Sequence, residues 1–275
     1  MFEEKRFLWL NSELAYRQIG SGPEYMIAFH GYDQDSSVFE AFEPSLGTRY
    51  SVISVDLPHQ GSTIWNEEEL SPDLMSRLIS DFFQHLKING TVAILGYSLG
   101  GNYALGMAYL KPELISSLWL IAADGLQRRP FFYFLTRNAL GQFLFRRFIN
   151  HASMIKSLIR GLNYVGIFSK KVANFYLGSI ALPEDREKLF LRWTSSSRLA
   201  PNLTLAFAKF NQFNWPIFLI FGKDDQVISI ANARKFKRYV KRASLVELKQ
   251  GHKLIKSRNN HVIEAMIKRL EGAEE

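Results

Sequence analysis

The chain is predicted to be an α/β protein: a mostly parallel sheet with helices on both faces and a block of helices inserted late in the order. Three observations predict this. Strand-like apolar runs alternate with helical patterns over residues 1–125, the alternation resumes over 216–275, and the strand rhythm disappears across 126–215. The two flanking stretches are therefore assigned to one core and 126–215 to a helical cap inserted in it.

The elements follow in order. "RFLWL" and "LAYRQIG", separated by Asn11 and Ser12, read as an antiparallel hairpin. "YMIAFHGY" is a continuous apolar run of the kind a strand buried on both faces requires. "SSVFEAFEPSL" reads as a short helix and "YSVISVDLP" as a strand. "SPDLMSRLISDFFQHL" is an amphipathic helix with Ser71 as N-cap and Pro72 at its first position. "TVAILGYS", "LGGNYALGMAYL" and "ISSLWLIAAD" then give strand, helix and strand. After the insertion, "PIFLIFGKDD" and "ASLVELKQ" are strands flanking the helix "SIANARKFKRYV", and "NNHVIEAMIKRL" is a closing helix.

Composition narrows the class. With 275 residues, 47% of them hydrophobic and 14% aromatic, the chain can bury a large core, which excludes a disordered protein. No window reaches the 18 apolar residues of a membrane span, and the opening "MFEEKRFLWLNSE" lacks the apolar core of a secretory signal; a cytoplasmic protein is expected. The absence of cysteine excludes disulfides, thiolate metal sites and cysteine nucleophiles. No cofactor and no metal are expected.

The chemistry starts at "GYSLGG", where Ser98 stands between glycines at a strand-to-helix junction. A sharp turn there holds the hydroxyl at the tip of a strand, which serves a nucleophile. The pattern alone decides little, since G-x-S-x-G arises by chance in roughly one chain of this length in ten. A serine nucleophile needs a base, and the base needs a carboxylate to fix its tautomer. Of six histidines, His85 lies mid-helix, His151 in the insertion and His261 in the last helix, whereas His252 follows "LVELKQG" at the carboxyl end of a strand. Open parallel sheets place their chemistry at those ends. Asp224 and Asp225 follow "FLIFG" in the same way.

In this order, "FHGY", "DLPHQGST", "GYSLGG", "FGKDDQVI" and "GHKL" resemble the α/β-hydrolase superfamily, over about two thirds of the chain. The resemblance implies an α/β-hydrolase fold, Ser98 as nucleophile and His252 as general base. It also implies an acid three residues after Gly222, which is Asp225, with Asp124 as the alternative from an earlier strand. The oxyanion hole it implies uses the backbone N–H groups of Leu99 and Tyr32. His30 is then a structural residue of the oxyanion loop. His59 occupies a position where the family more often has glycine, and Tyr97 either meets the ligand or packs.

The activity implied is that of a serine esterase acting on a small apolar or amphiphilic acyl substrate. Acyl transfer, carbon–carbon bond hydrolysis or lysis on the same fold, and non-catalytic binding of a small molecule are the alternatives. The insertion carries the charge: residues 126–215 hold 14 Lys/Arg against 3 Asp/Glu, in a chain whose net charge is +8. The plainest reading turns one apolar face of each helix inward and leaves the Lys/Arg on the outer, solvated face. The sharper reading is contact with an anionic membrane surface, which would place the protein peripherally at the inner membrane. No nucleic-acid partner is expected, because no groove-reading motif is present.

Overall fold

A computed structural model describes residues 2–67, 70–127, 129–166 and 169–274. The leading hairpin is β1 (Glu4–Trp9) and β2 (Ser12–Ile19), followed by β3 (Glu24–Phe29). The segment expected to be a short helix is a 3₁₀ stretch over Ser36–Phe42, capped by the Asp35 side chain. It turns α-helical only in α1 (Glu43–Leu46), with Pro44 in its first turn. Then come β4 (Tyr50–Val55), α2 (Pro72–His85), β5 (Val92–Tyr97), α3 (Gly100–Leu110) and β6 (Ile115–Ile121). Ser71 caps α2 by accepting from the Leu74 amide at 3.1 Å.

Between β6 and β7 lie α4 (Pro130–Arg137), α5 (Ala139–Asn150), α6 (Ala152–Tyr164), α7 (Lys170–Gly178), α8 (Pro183–Leu199) and α9 (Leu203–Phe210). The chain closes with β7 (Ile217–Gly222), α10 (Ile230–Tyr239), β8 (Ala243–Leu248) and α11 (Asn260–Glu274).

The eight strands form one sheet in the order β1-β2-β4-β3-β5-β6-β7-β8. Pairing is antiparallel from β1 to β2 and from β2 to β4, and parallel elsewhere. β4, β5 and β7 are buried along their whole length; β5 and β7 accordingly read as uninterrupted apolar runs, while β4 buries Ser51 and Ser54 with their hydroxyls donating to Gly22 O and Ser36 O, both at 2.8 Å. Two cores result. One face of the sheet packs Leu78 of α2, Tyr103 of α3 and Phe236 of α10; the other packs Leu46 of α1 and Ile263 and Met266 of α11.

The inserted helices have an apolar cluster of their own, centred on Phe145, Ile149, Ile155, Ile159, Leu189 and Phe190, and Tyr32 of the sheet domain packs against it. α8 also lies close on α3, where Gly106 has no side chain to meet the Leu199 carbonyl. Near its C-terminal end α8 is buried on every side: Thr194, Ser195, Ser196 and Ser197 together make a full turn, and all four are buried. Three of these hydroxyls donate back to carbonyls within their own helix, so small polar side chains are buried without loss of hydrogen bonds. Among the described residues no helix is long and apolar enough to cross a membrane.

Candidate active site

β5 ends at Tyr97 and α3 begins at Gly100, which leaves Ser98 on the corner between them. Its φ of +51° is a left-handed conformation that costs a non-glycine residue roughly 1–2 kcal/mol. The corner is over-determined by hydrogen bonds: the Ser98 amide donates to Ile121 O (3.1 Å), and its carbonyl accepts from Gly101 (2.9 Å) and Asp124 (2.8 Å). The flanking glycines are steric necessities. A Cβ on Gly96 would lie 2.7 Å from Ala104 Cβ, and one on Gly100 would collide with the Phe29 carbonyl.

Ser98 Oγ lies 2.8 Å from His252 Nε2, and His252 Nδ1 lies 2.8 Å from Asp225 Oδ2. Asp225 sits in the loop after β7 with its side chain fully buried. Its second oxygen, Oδ1, accepts from the amides of Val227 (2.8 Å) and Ile228 (2.9 Å). Carboxylate orientation is therefore fixed by backbone, and Nδ1 must carry the proton that Oδ2 accepts. That leaves Nε2 an acceptor facing Ser98. Tyr97 fixes the loop bearing His252: its ring stacks on the imidazole with centroids 5.7 Å apart, and its hydroxyl donates to His252 O at 3.2 Å. Burial pushes the Tyr97 phenol up to about 12, which keeps it a neutral donor.

The alternative acids stand elsewhere. Asp224 is exposed. Asp124 accepts from the Gly125 amide (2.8 Å) and pairs with Arg129 at 3.3 Å.

The loop after β3 passes beside the corner, so close that a Cβ on Gly31 would lie 3.2 Å from Ser98 Cβ. Its amides on either side of Tyr32 are engaged, Gly31 by Gln34 Oε1 (3.0 Å) and Asp33 by Gln60 Oε1 (2.8 Å). Leu99 heads α3, where the first amides of a helix have no acceptor within the helix.

His30 is fully buried beneath this loop. The Leu57 amide donates to its Nε2 (3.1 Å), so Nδ1 holds the proton and donates to Gly31 O (2.8 Å). Burial holds its imidazole below the ordinary value, and it acts as a neutral strut. His85 meets the Tyr16 hydroxyl at 3.1 Å on the far side of the sheet domain.

Sequence reasoning missed Arg192 of α8. It is 8% exposed, and its Nη1 donates to Asp33 Oδ1 and its Nε to His59 O, both at 2.9 Å. The guanidinium lies 5.1 Å from the Tyr32 ring centroid. A polar cavity of about 220 Å³ opens beside it, lined by Tyr32, Asp33, Asn174, Ser179, Asp185 and Arg192. His59 is held at φ +64°, the conformation that explains why glycine serves better there. Burial, with Arg192 nearby, lowers its imidazole to about 4. Among the described residues no cluster of His, Cys, Asp or Glu could hold a metal ion.

The sequence model described as "alpha/beta hydrolase fold" matches residues 25–258. The 2-hydroxy-6-oxo-6-(2'-aminophenyl)hexa-2,4-dienoic acid hydrolase of Metapseudomonas resinovorans is 26% identical over 234 residues, covering 82% of this chain and 75% of that protein. The pimeloyl-[acyl-carrier protein] methyl ester esterase of Nitrosomonas europaea is 25% identical over 244 residues, covering 82% and 87%. Among solved structures, a thermophilic esterase from Thermogutta terrifontis superposes with a TM-score of 0.70 at 16% identity, covering 98% of each chain.

Proposed function

The chain belongs to the alpha/beta hydrolase fold family, and from that premise we propose that it is a serine hydrolase cleaving an ester or related acyl bond through an acyl-enzyme. The observation that carries this reading is the continuous line from Ser98 Oγ through His252 to the buried Asp225, two hydrogen bonds of 2.8 Å each. His252 Nε2 takes the Ser98 proton as Oγ attacks the carbonyl carbon, and the C–O π pair moves onto the carbonyl oxygen. Asp225 stabilises the imidazolium and keeps its own charge.

The amides of Leu99 and Tyr32 receive the oxyanion, and the clamps from Gln34 and Gln60 hold the Tyr32 segment in place beforehand. Collapse of the tetrahedral adduct expels the alcohol, which leaves with the proton held on Nε2. Water, deprotonated by the same nitrogen, then releases the acid and restores Ser98. The helices α4–α9 form the cap, and its apolar cluster against Tyr32 favours an apolar or amphiphilic acyl group.

Reaction with a fluorophosphonate probe and hydrolysis of short p-nitrophenyl esters test the reading. Wild-type protein is labelled and turns the esters over, whereas Ser98→Ala does neither. Equal labelling of Ser98→Ala overturns the assignment.

The likeness to a dienoic acid hydrolase supports a second reading, carbon–carbon bond hydrolysis of a vinylogous diketone by the same residues. Turnover of such a substrate at a rate above that of any simple ester selects it.

A further inference from the structure

A helix at a protein surface ordinarily turns its apolar stripe inward and its polar face to water. α5 does not. Gly141, Phe145 and Ile149 form its buried face, yet the far side presents Leu140, Phe143 and Leu144 to solvent with Arg147 among them, and Phe148 is exposed at the border of the buried face. Its neighbours continue the surface. Phe131 and Phe134 are exposed on α4, and Met154 and Leu158 are exposed on α6 beside the buried Ile155 and Ile159. Phe131 is 73% and Phe143 65% exposed, large values for residues that solvent-facing helices normally avoid.

The charge on this surface has one sign. From Gly125 to Pro183 the sequence contains nine Lys/Arg and no Asp or Glu. Some of these cations are committed: Arg146 pairs with Glu187 at 3.0 Å, and Arg137 donates to the carbonyls of Ser197 and Ala200. Arg147, Lys156 and Arg160 have no anionic partner among the described residues, and they flank the exposed apolar side chains. A second copy docking symmetrically would bring cations onto cations with no carboxylate from this stretch between them. A partner met through charge alone would leave the phenylalanines in water. An anionic bilayer satisfies both requirements: apolar side chains at any spacing enter the acyl region while Lys and Arg remain at the headgroups.

We propose that the outer face of α4, α5 and α6 is a docking surface for an anionic lipid bilayer. The helices lie in the interfacial plane, since none is long and apolar enough to cross. The inner face of the same helices forms the apolar cluster that reaches Tyr32. Resting on the hydrolase reading above, this arrangement delivers an amphiphilic acyl substrate from the bilayer toward Ser98.

Co-sedimentation with vesicles tests the surface separately from the chemistry, because it requires no turnover. The full chain is expected to pellet with phosphatidylcholine vesicles containing 30% phosphatidylglycerol at low salt, and to stay in solution with pure phosphatidylcholine. Each neutralisation, Arg147→Gln, Lys156→Gln or Arg160→Gln, is expected to lower partitioning about five-fold, following the usual contribution of one cation at a headgroup surface. Phe143→Ser with Leu144→Ser is expected to abolish pelleting while p-nitrophenyl ester hydrolysis stays unchanged. Ser98→Ala is expected to pellet like wild type, so a failed hydrolase assignment leaves this result standing. No pelleting with anionic vesicles overturns the proposal, as does pelleting indifferent to salt and to these substitutions. A dimer that Phe143→Ser dissociates, without vesicle binding, assigns the face to a second copy and overturns it too.

Discussion

Arg192 on α8 and Asp33 on the loop after β3, 159 positions apart, join at 2.9 Å and tie the inserted helices to the segment beside Ser98. The pairs made by this guanidinium are unequal. The Asp33 side chain is 73% exposed, so its charge is screened and contributes little to stability. The half of the interaction farther from solvent is the part-buried bond to His59 O. Asp33→Asn is therefore expected to cost under about 1 kcal/mol. Arg192→Met, which leaves the part-buried His59 carbonyl without this donor, is expected to cost about 1–3 kcal/mol. Because Tyr32 shifts with it, kcat should fall roughly ten-fold with KM little changed, the mark of an interaction made in the transition state. Urea denaturation and steady-state kinetics check both values, and a larger loss from Asp33→Asn would reverse the assignment.

Asp225 and Asp124 give a second comparison. Asp225→Asn removes the acceptor of the His252 Nδ1 proton and favours the wrong tautomer, so kcat should drop by about 10³–10⁴ with folding intact. Asp124→Asn loses only a partly exposed pair with Arg129 and should stay within about three-fold of wild type, a change worth under 1 kcal/mol. Circular dichroism alongside the kinetics separates chemistry from unfolding.

His59 makes stability depend on pH. Its imidazole is lowered to about 4 in the folded protein, from an ordinary value of about 6.5, so the unfolded chain binds the extra proton first as pH falls. The stability contributed by neutral His59 is thus present above pH 6.5 and is lost progressively toward pH 4, an effect of order 1–3 kcal/mol. His59→Asn tolerates the left-handed backbone and cannot titrate there. The stability difference between wild type and this variant, measured in urea at pH 7.5, 5.5 and 4.5, should shrink with each step down. A flat difference refutes the account.

Two glycines should respond oppositely to a methyl group. Gly100→Ala drives Cβ into the Phe29 carbonyl at the Ser98 corner and should give a protein that is inactive or fails to fold. Gly161 lies within α6, and among the described residues nothing beyond its own chain neighbours and helix backbone lies within 4 Å of the position a Cβ would take. Gly161→Ala should therefore raise stability by about 0.5–1 kcal/mol with activity unchanged. Thermal melting of the two variants checks both signs.

The sheet was legible because its inner strands are buried on both faces and are therefore dominated by apolar residues, the two serines of β4 being buried with their hydroxyls bonded. Ser98 and His252 could be singled out because strand ends are where an open parallel sheet exposes chemistry. Choosing Asp225 over Asp224 needed a family count of positions, since the two carboxylates are adjacent and only the three-dimensional loop shows that one is buried and the other exposed. Arg192 left no trace in the sequence: its partners lie 133 and 159 residues away, and a charge on a helix gives no sign of facing inward. The two-sided apolar character of α5 was not legible for a related reason. Periodicity reports that apolar residues line a helix, and when they line both sides it cannot tell the covered side from the bare one.

The pairing of β6 with β7, Leu118 beside Ile217, spans the whole insertion, with roughly 95 residues between the strands. On a ribosome adding about 5–20 residues per second, that distance is several seconds of synthesis. Throughout that interval β6 is the last strand of an unfinished sheet, with its apolar rim open and no neighbour yet made. Ser98 is already on its corner by then, but Asp225 and His252 have not been translated. On the proposed mechanism the nascent chain is therefore inert while its sheet edge is most adhesive. Any factor that shields aggregation-prone intermediates would meet this protein as a six-stranded sheet followed by growing helices, before it meets it as an enzyme.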